Sequence, residues 1–192
     1  RRPGARAVLR DGTNQLGTAL GLVVQKFGGT SVATAARLQQ AARVVARTLE
    51  AGSQVVVVLS AMGDATDRMI SLAREVCGDP GRREMDMLLS SGEQVSVALM
   101  AMALKDLGYE ARSYLGSQVR ILTDSVHSKA HIREVETSRL AAYLASGGVP
   151  VVAGFQGVDA EGEITTFGRG GSDTTAVALA AALGADECQI LT

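Results

Sequence analysis

Aromatic side chains are scarce in this sequence of 192 residues: they make up 3% of it, and tryptophan is absent. The core is therefore expected to consist of Ala, Val, Leu, Ile and Met side chains. Only three prolines stand against 22 glycines, which favours tight turns and close backbone contacts over a Pro-rich linker. The net charge of −1 provides no broad positive field, so nucleic-acid binding is not predicted.

Cysteine and histidine are also sparse. Cys77 and Cys188 lie far apart and outside any CxxC pattern, which predicts buried free thiols in a reducing compartment. His127 and His131 have a spacing that would suit a metal on a helix, but no HExxH motif is present. No metal-binding residue is therefore predicted.

Long apolar runs are missing as well. No uninterrupted stretch approaches the roughly 18 residues that cross a bilayer, so no membrane contact and a cytoplasmic location are expected. Residues 1–19 follow no period of 2 or 3.6, which predicts a disordered or poorly packed arm. The first residue is not Met and the chain ends within a predicted strand, so we expect a piece of a longer protein.

Strand and helix patterns alternate along the rest of the sequence. Short apolar runs predict strands at 20–25, 54–60, 111–115, 131–135, 149–153 and 187–192. Amphipathic or apolar patterns predict helices at about 30–51, 67–76, 83–107 (with a break near residues 90–92), 138–145 and 172–183. The glycine-rich region 154–171 is expected to be a loop with a hairpin around 159–162. This order predicts an α/β fold with a mainly parallel sheet covered on both faces.

The first chemical motif is KFGGTS, residues 26–31, between a predicted strand and a helix. Adjacent glycines allow close approach to a ligand, a helix N-terminus suits a phosphate, and Lys26 adds positive charge. Thr30 or Ser31 is expected to cap the helix. A plain glycine turn with an exposed lysine explains the spacing equally well, and no Walker A loop is present.

The second motif is GRGGSDTT, residues 168–175, again before a predicted helix. Arg169 can clamp a carboxylate or a phosphate through two hydrogen bonds. Asp173 falls in the first helical turn, where the helix dipole favours a carboxylate. The alternative is that Ser172 and Asp173 are ordinary N-caps.

Two further segments are weaker signals. Glu93, in SSGEQ, is followed by the apolar run 95–102, so it either points to water or serves a site, since burial of an unpaired carboxylate is costly. The loop 60–67 offers hydroxyls after an apolar strand. The nearby methionines are predicted to fill the core: Met85, Met87, Met100 and Met102.

Lys26, Ser60 and the Gly154 loop each follow a predicted strand, so a parallel sheet would bring them to one edge. A Lys, an Arg and backbone N–H groups would meet there without an evident nucleophile and base. This composition favours phosphoryl transfer, in which catalysis is mainly positioning and charge stabilisation.

Five segments occur in the order and spacing typical of aspartate kinases, and the sequence resembles that family over about residues 20–192. They are KFGGTS (26–31), VVVVLSAMGDATD (55–67), SSGEQ (90–94), VAGFQG (152–157) and TTFGRGGSDTTA (165–176). The resemblance implies the amino-acid-kinase fold, a three-layer α/β/α sandwich. It also implies that residues 20–192 are the N-terminal part of the catalytic domain, without its remainder and without regulatory ACT domains. Since the initiator Met of the family is expected where Leu20 stands, residues 1–19 would be a non-native extension.

The implied reaction moves the γ-phosphoryl group of MgATP to the side-chain carboxylate of L-aspartate, giving 4-phospho-L-aspartate for lysine, threonine, methionine and isoleucine synthesis. Mg²⁺ would be held mainly through the nucleotide. The parent enzyme would be a homo- or hetero-oligomer. Because the sequence stops before the family's Thr-Asp-x-Asp-Gly segment, the chain alone is expected to be inactive.

The resemblance also implies residue roles. Lys26, Arg169 and Asp173 would be catalytic, with Lys26 neutralising the transferred phosphoryl group. Arg169 would hold the α-carboxylate of aspartate, while Glu93 and Asp173 would face its ammonium group, as the charges of an amino acid require. The other implied contacts are Phe27, Gly28, Gly29 and Thr30 for phosphate, and Ser60, Thr66 and Ser172 for the substrate.

Two other functions remain open at this point. One is a related enzyme such as acetylglutamate or glutamate 5-kinase, against which SSGEQ and GRGGSDTTA argue. The other is a non-enzymatic module that binds an amino acid, against which the catalytic-type Lys26 argues.

Overall fold

The computed structural model describes residues 21–192, so the predicted arm at 1–19 lies outside the described residues. The strands are β1 Leu22–Phe27, β2 Gln54–Leu59, β3 Ala111–Tyr114, β4 Ile121–Thr123, β5 Ile132–Val135, β6 Val149–Ala153, β7 Gln156–Val158, β8 Ile164–Thr166 and β9 Glu187–Leu191. The helices are α1 Ala35–Glu50, α2 Ala65–Val76, α3 Arg82–Asp106, α4 Ser138–Ala145 and α5 Gly171–Leu183.

A five-stranded sheet in the order β3-β6-β2-β1-β9 forms the centre of the fold, and all its strand pairs are parallel. Successive side chains of β2 point to opposite faces of the sheet. Val55, Val57 and Leu59 pack with α1 and α3, whereas Val56 and Val58 pack with α4 and α5. Both faces are therefore covered, and the predicted three-layer α/β/α sandwich is confirmed.

A second, four-stranded sheet in the order β5-β4-β7-β8 lies beside the first. Strands β7 and β8 form the hairpin predicted around 159–162, closed by a hydrogen bond from Gly162 N to Asp159 O at 3.1 Å. Strand β4 has only three residues, and its short run ILT carried no periodic signal that would have predicted it.

The first helix begins later than predicted. Residues Gly29–Val32 form a single 3₁₀ turn, and α1 starts at Ala35. Its N-cap is Thr34, whose side-chain oxygen accepts a hydrogen bond from Arg37 N at 3.3 Å. The prediction that Thr30 or Ser31 caps this helix is therefore wrong, because the chain first turns tightly after the glycine pair.

Helix α3 runs without the predicted break near residues 90–92. A Cβ on Gly92 would lie 2.8 Å from Ala61 Cβ and 2.9 Å from Met69 Cε. Gly92 therefore allows two neighbouring segments to approach the helix closely. Its role is packing rather than helix termination, although glycine is otherwise unfavourable inside a helix.

Exposure corrects two further predictions. Met100 is fully buried, but Met87 is 43% exposed and Met102 is 63% exposed, so only part of the methionine group fills the core. Cys77 is exposed and Cys188 is half-buried, and both are free thiols. Cys77 follows α2, a helix that buries none of its residues completely, which explains why this thiol is not in the core.

One helix of the described chain, α3, has the length and apolar content of a membrane span. The core helix of a folded domain can have the same length and composition. The buried side of α3 carries Asp86 and Glu93 and packs on the protein, as expected for a core helix.

Candidate functional site

A cavity of about 620 Å³ lies at the carboxyl edge of the parallel sheet. Ser60 N donates to Phe27 O at 3.2 Å, and Gly154 N donates to Leu59 O at 2.9 Å, so the ends of β1, β2 and β6 meet there, as predicted. Most of the residues predicted to form the site line this cavity: Lys26, Gly29, Ser60, Thr66, Glu93, Arg169, Ser172 and Asp173.

Lys26 and Asp173 form an ion pair, with Nζ 2.6 Å from Oδ1. The Lys26 side chain is 8% exposed, whereas that of Asp173 is 48% exposed and reaches it from the first turn of α5. The N-cap of α5 is Gly170, whose φ of 77° is one that glycine adopts readily, and no side chain caps the helix. The alternative that Ser172 and Asp173 are N-caps is therefore wrong.

Glu93 is buried in the cavity wall, so the alternative that it points to water is wrong. Its Oε1 accepts a hydrogen bond from Ala61 N at 2.9 Å. Its Oε2 is also buried and has no hydrogen-bond partner among residues 21–192. Burial raises the pKa of Glu93 to about 8, and the Ala61 N–H offsets part of that rise. The group is therefore mainly protonated at neutral pH until a cation reaches it.

The cavity carries charges of both signs. Lys26 and Arg169 contribute positive charge, and Asp67, Glu93 and Asp173 contribute carboxyl groups. Arg169 is exposed, and no ion pair joins it to another described residue. Since Lys26 is already paired with Asp173, Arg169 is available to the anionic end of a ligand, and the carboxyl groups of Glu93 and Asp67 are available to a cationic end.

Three residues predicted to bind phosphate do not line the cavity. Phe27 is buried in the core beside α1, and Thr30 is exposed, with its carbonyl accepting from Arg37 Nη1 at 2.7 Å. Gly28 donates its N–H to Leu191 O at 3.0 Å, so this N–H is engaged with β9. The phosphate-binding role of these residues stays a prediction.

Several cavity residues were not predicted from the sequence, among them Ser128, Phe155 and Thr166. Two of them are held by Asp86, a fully buried carboxylate of α3. The available signal was the spacing of polar residues on one face of the helix, at Asp86, Ser90, Glu93 and Ser96, all of which are buried.

The two histidines contact carboxylates. His127 Nδ1 lies 2.9 Å from Asp86 Oδ2, and His131 Nδ1 lies 3.1 Å from Asp124 Oδ2. Each histidine has its own partner. Across the described chain, no group of three or more His, Cys, Asp and Glu side chains is arranged to hold a metal ion.

The fold and the mixed charge of the cavity agree with a family assignment. The model of the amino acid kinase family matches residues 21–192, so the chain belongs to that family.

Within this family the chain is similar in sequence to curated aspartokinases. It is 58% identical over 173 residues to the aspartokinase of Pseudomonas aeruginosa and 54% identical over 173 residues to aspartokinase 2 of Bacillus subtilis. Each match covers 90% of this chain but 42% of the relative. The chain thus spans about two fifths of the length of these curated relatives.

Solved structures agree with the sequence comparison. The aspartate kinase from Synechocystis superposes with a TM-score of 0.78 at 52% identity, covering 89% of this chain and 28% of that one. The E. coli aspartokinase III in complex with aspartate and ADP gives a TM-score of 0.79 at 27% identity, covering 88% of this chain and 48% of that one.

Proposed function

We propose that residues 20–192 are the N-terminal part of the catalytic domain of an aspartate kinase, and that this enzyme phosphorylates the side-chain carboxylate of L-aspartate with ATP. The product would be 4-phospho-L-aspartate, which leads to lysine, threonine, methionine and isoleucine. The observation that carries the proposal is the buried Glu93 in the same cavity as Arg169, since among residues 21–192 neither Glu93 Oε2 has a hydrogen-bond partner nor Arg169 an ion-pair partner. Such a pair matches the ammonium and α-carboxylate groups of an amino acid.

In this proposal the substrate binds with its α-carboxylate at Arg169 and its ammonium group at Glu93. An ammonium group next to Oε2 would favour the ionised carboxylate and lower the pKa of Glu93 from about 8. Ser60, Thr66 and Ser172 line the same cavity and offer hydroxyl groups to the substrate. These contacts orient the side-chain carboxylate, and orientation is a major contribution to catalysis of phosphoryl transfer.

Lys26 stabilises the negative charge of the transferred phosphoryl group. Its ion pair with Asp173, at 2.6 Å, keeps the ammonium group at the cavity. Asp173 therefore mainly positions the Lys26 ammonium group. We propose that it also contacts the ammonium group of the substrate. Charge that is held in place before the reaction contributes more to catalysis than charge that must be reorganised.

The nucleotide is proposed to be ATP with Mg²⁺ carried by its phosphates, since the described residues contain no cluster of metal-binding side chains. Gly29 lines the cavity, and we propose that it lets the backbone approach the phosphates beside Lys26 of the same KFGGTS segment. The chain spans about two fifths of its relatives, so we propose that it is inactive alone. The complete enzyme is proposed to be cytoplasmic and oligomeric.

The test is an assay of the protein expressed from its complete gene. ATP-dependent hydroxamate formation is measured with aspartate, glutamate and N-acetylglutamate as acceptors. Turnover with aspartate alone supports the proposal. Preference for either of the other acceptors would replace aspartate kinase with a related amino-acid kinase, and amino-acid binding without turnover would indicate a binding module.

A further inference from the structure

Helix α3 carries a second buried carboxylate, which the proposed reaction does not use. Asp86 is 0% exposed. Within the described residues the one basic side chain in polar contact with it is that of His127, whose Nδ1 lies 2.9 Å from Oδ2. A carboxylate in such a place is costly unless several donors surround it.

Those donors come from two segments that are distant in sequence. Ser128 donates its N–H to Oδ2 at 2.9 Å and its hydroxyl to Oδ1 at 3.2 Å. Thr166 donates its hydroxyl to Oδ1 at 2.6 Å and its N–H to Oδ2 at 3.2 Å. One side chain of α3 thus fixes the loop after β4 and the end of β8 relative to each other.

Both of the residues that Asp86 fixes, Ser128 and Thr166, line the candidate site. Ser128 has a φ of 69°, an unfavourable conformation for a residue with a Cβ, and a surrounding network is needed to hold it. The loop and β8 are also joined by a hydrogen bond from Ala130 N to Thr166 O at 2.9 Å. Only Phe167 and Gly168 separate Thr166 from Arg169.

We propose that Asp86 is a positioning residue for the amino-acid half of the site. It holds Ser128 and Thr166 in the cavity wall. Because Arg169 follows Thr166 by three residues, Asp86 thereby also fixes where the segment with Arg169 begins. This inference rests on the proposed function, because it identifies the substrate whose binding Asp86 should affect. A purely structural Asp86 would change stability without changing the binding of one substrate selectively.

The test is Asp86→Asn in the protein expressed from its complete gene. Asn keeps the shape but places an NH₂ group against the donors of Ser128 and Thr166. Losing charge-assisted hydrogen bonds there should raise the KM for aspartate about tenfold, with the KM for ATP changed less than about twofold. Melting temperature is measured alongside.

The matched control is Thr123→Val. It removes the buried hydroxyl contact between Thr123 and Thr165, 2.7 Å long, in the same small sheet, and neither residue lines the cavity. This variant should lose stability while both KM values stay unchanged. Equal KM values for Asp86→Asn and the wild type would overturn the proposal, as would parallel rises for aspartate and ATP.

A second variant covers a failure of Asp86→Asn to fold. His127→Phe removes one contact of Asp86 at a position outside the cavity whose side chain is 21% exposed. It should raise the KM for aspartate about threefold, since one hydrogen bond is lost; no rise would contradict the proposal. If the wild-type protein prefers a different amino acid, the proposed function fails, but the same comparison with that acceptor still decides the role of Asp86.

Discussion

The two halves of helix α3 are both buried on one side, yet they bury opposite kinds of side chain. The first half turns Asp86, Ser90 and Glu93 inward, and the second half turns Val97, Met100, Ala101 and Leu104 inward. The second half packs on the parallel sheet beside α1, while Glu93 of the first half reaches the cavity wall. One continuous helix therefore serves as a core element at one end and as a wall of the site at the other.

Strand β1 shows the same contrast, since Val24 and Lys26 point to one face of the sheet and only Lys26 reaches the cavity. Lys26→Met tests whether the polar end serves catalysis rather than stability. Loss of this charge should lower the kcat of the complete enzyme by about 10²- to 10³-fold, the usual effect of removing one stabilising group from a transition state. Turnover is measured at saturating aspartate and ATP.

The control for Lys26 is Lys105→Met, which removes the charge of an exposed lysine in the last turn of α3. Its kcat should equal that of the wild type. Near-normal turnover of Lys26→Met would refute the proposed role of this residue.

Met100→Ala tests whether the apolar second half of α3 contributes to the stability of the fold. Met100 is fully buried, so its truncation should lower the free energy of unfolding by about 2 to 5 kcal/mol through lost burial and a cavity. Urea unfolding measures this loss. The KM for aspartate should not change in the folded protein.

Met102→Ala is the matched control on the same helix, since Met102 is 63% exposed. It should change the free energy of unfolding by less than about 0.5 kcal/mol. Equal losses for the two variants would show that the second half of α3 does not pack as described.

Arg169→Ala tests an exposed residue of the site, in contrast to the side chains that α3 buries. Removing a clamp for the substrate α-carboxylate should raise the KM for aspartate about tenfold or more, because hydrogen bonds between charged groups are the strong ones. The KM for ATP should change little. Steady-state kinetics measure both KM values, and Arg68→Ala, which changes another exposed arginine, is the control and should keep the KM for aspartate of the wild type. An unchanged KM for aspartate in Arg169→Ala would count against the clamp.

Glu93 should give the polar half of α3 a pH dependence that the apolar half lacks. Its folded-state pKa is raised to about 8 from an ordinary 4.5, so the folded protein retains a proton that the unfolded chain has lost between these values. Stability should therefore fall as pH rises from 4.5 to about 8 and level off above it. Glu93→Gln should remove this contribution.

Melting temperatures at several pH values across that window measure the effect, with Glu75→Gln on the exposed side of α2 as control. The control should keep the pH dependence of the wild type. If the melting temperature of Glu93→Gln depended on pH in the same way as that of the wild type, Glu93 would be ionised in the folded protein across this pH range.

Sequence patterns were sufficient for the layers of the fold and for most of the cavity. The continuous apolar run of β2 is typical of a strand covered on both faces, and glycine-rich segments after strands marked the edge where ligands bind. Local sequence patterns gave wrong predictions where contacts with distant segments determine the structure. Gly92 looks like a break because propensity is local, whereas its close contact with Ala61 comes from another segment.

Asp86 shows the same limit for the site. A lone carboxylate near the start of a helix usually faces water, and nothing local indicates that Ser128 and Thr166 will supply its donors. The order of strands in the sheet and the ion pair between Lys26 and Asp173 are likewise long-range facts. The one local signal for the hydrogen bonds of Asp86 was the spacing of polar residues along one face of α3.

The proton balance of aspartate binding to the protein expressed from its complete gene tests most directly whether Glu93 receives the ammonium group of the substrate. Because Glu93 is mainly protonated when its pKa is about 8, binding of an ammonium group at pH 7 should release close to one proton. Calorimetric titrations in two buffers of different ionisation enthalpy measure this number. The wild type should release this proton and Glu93→Gln should release none, whereas tight aspartate binding without proton release by the wild type would contradict the proposed role of Glu93.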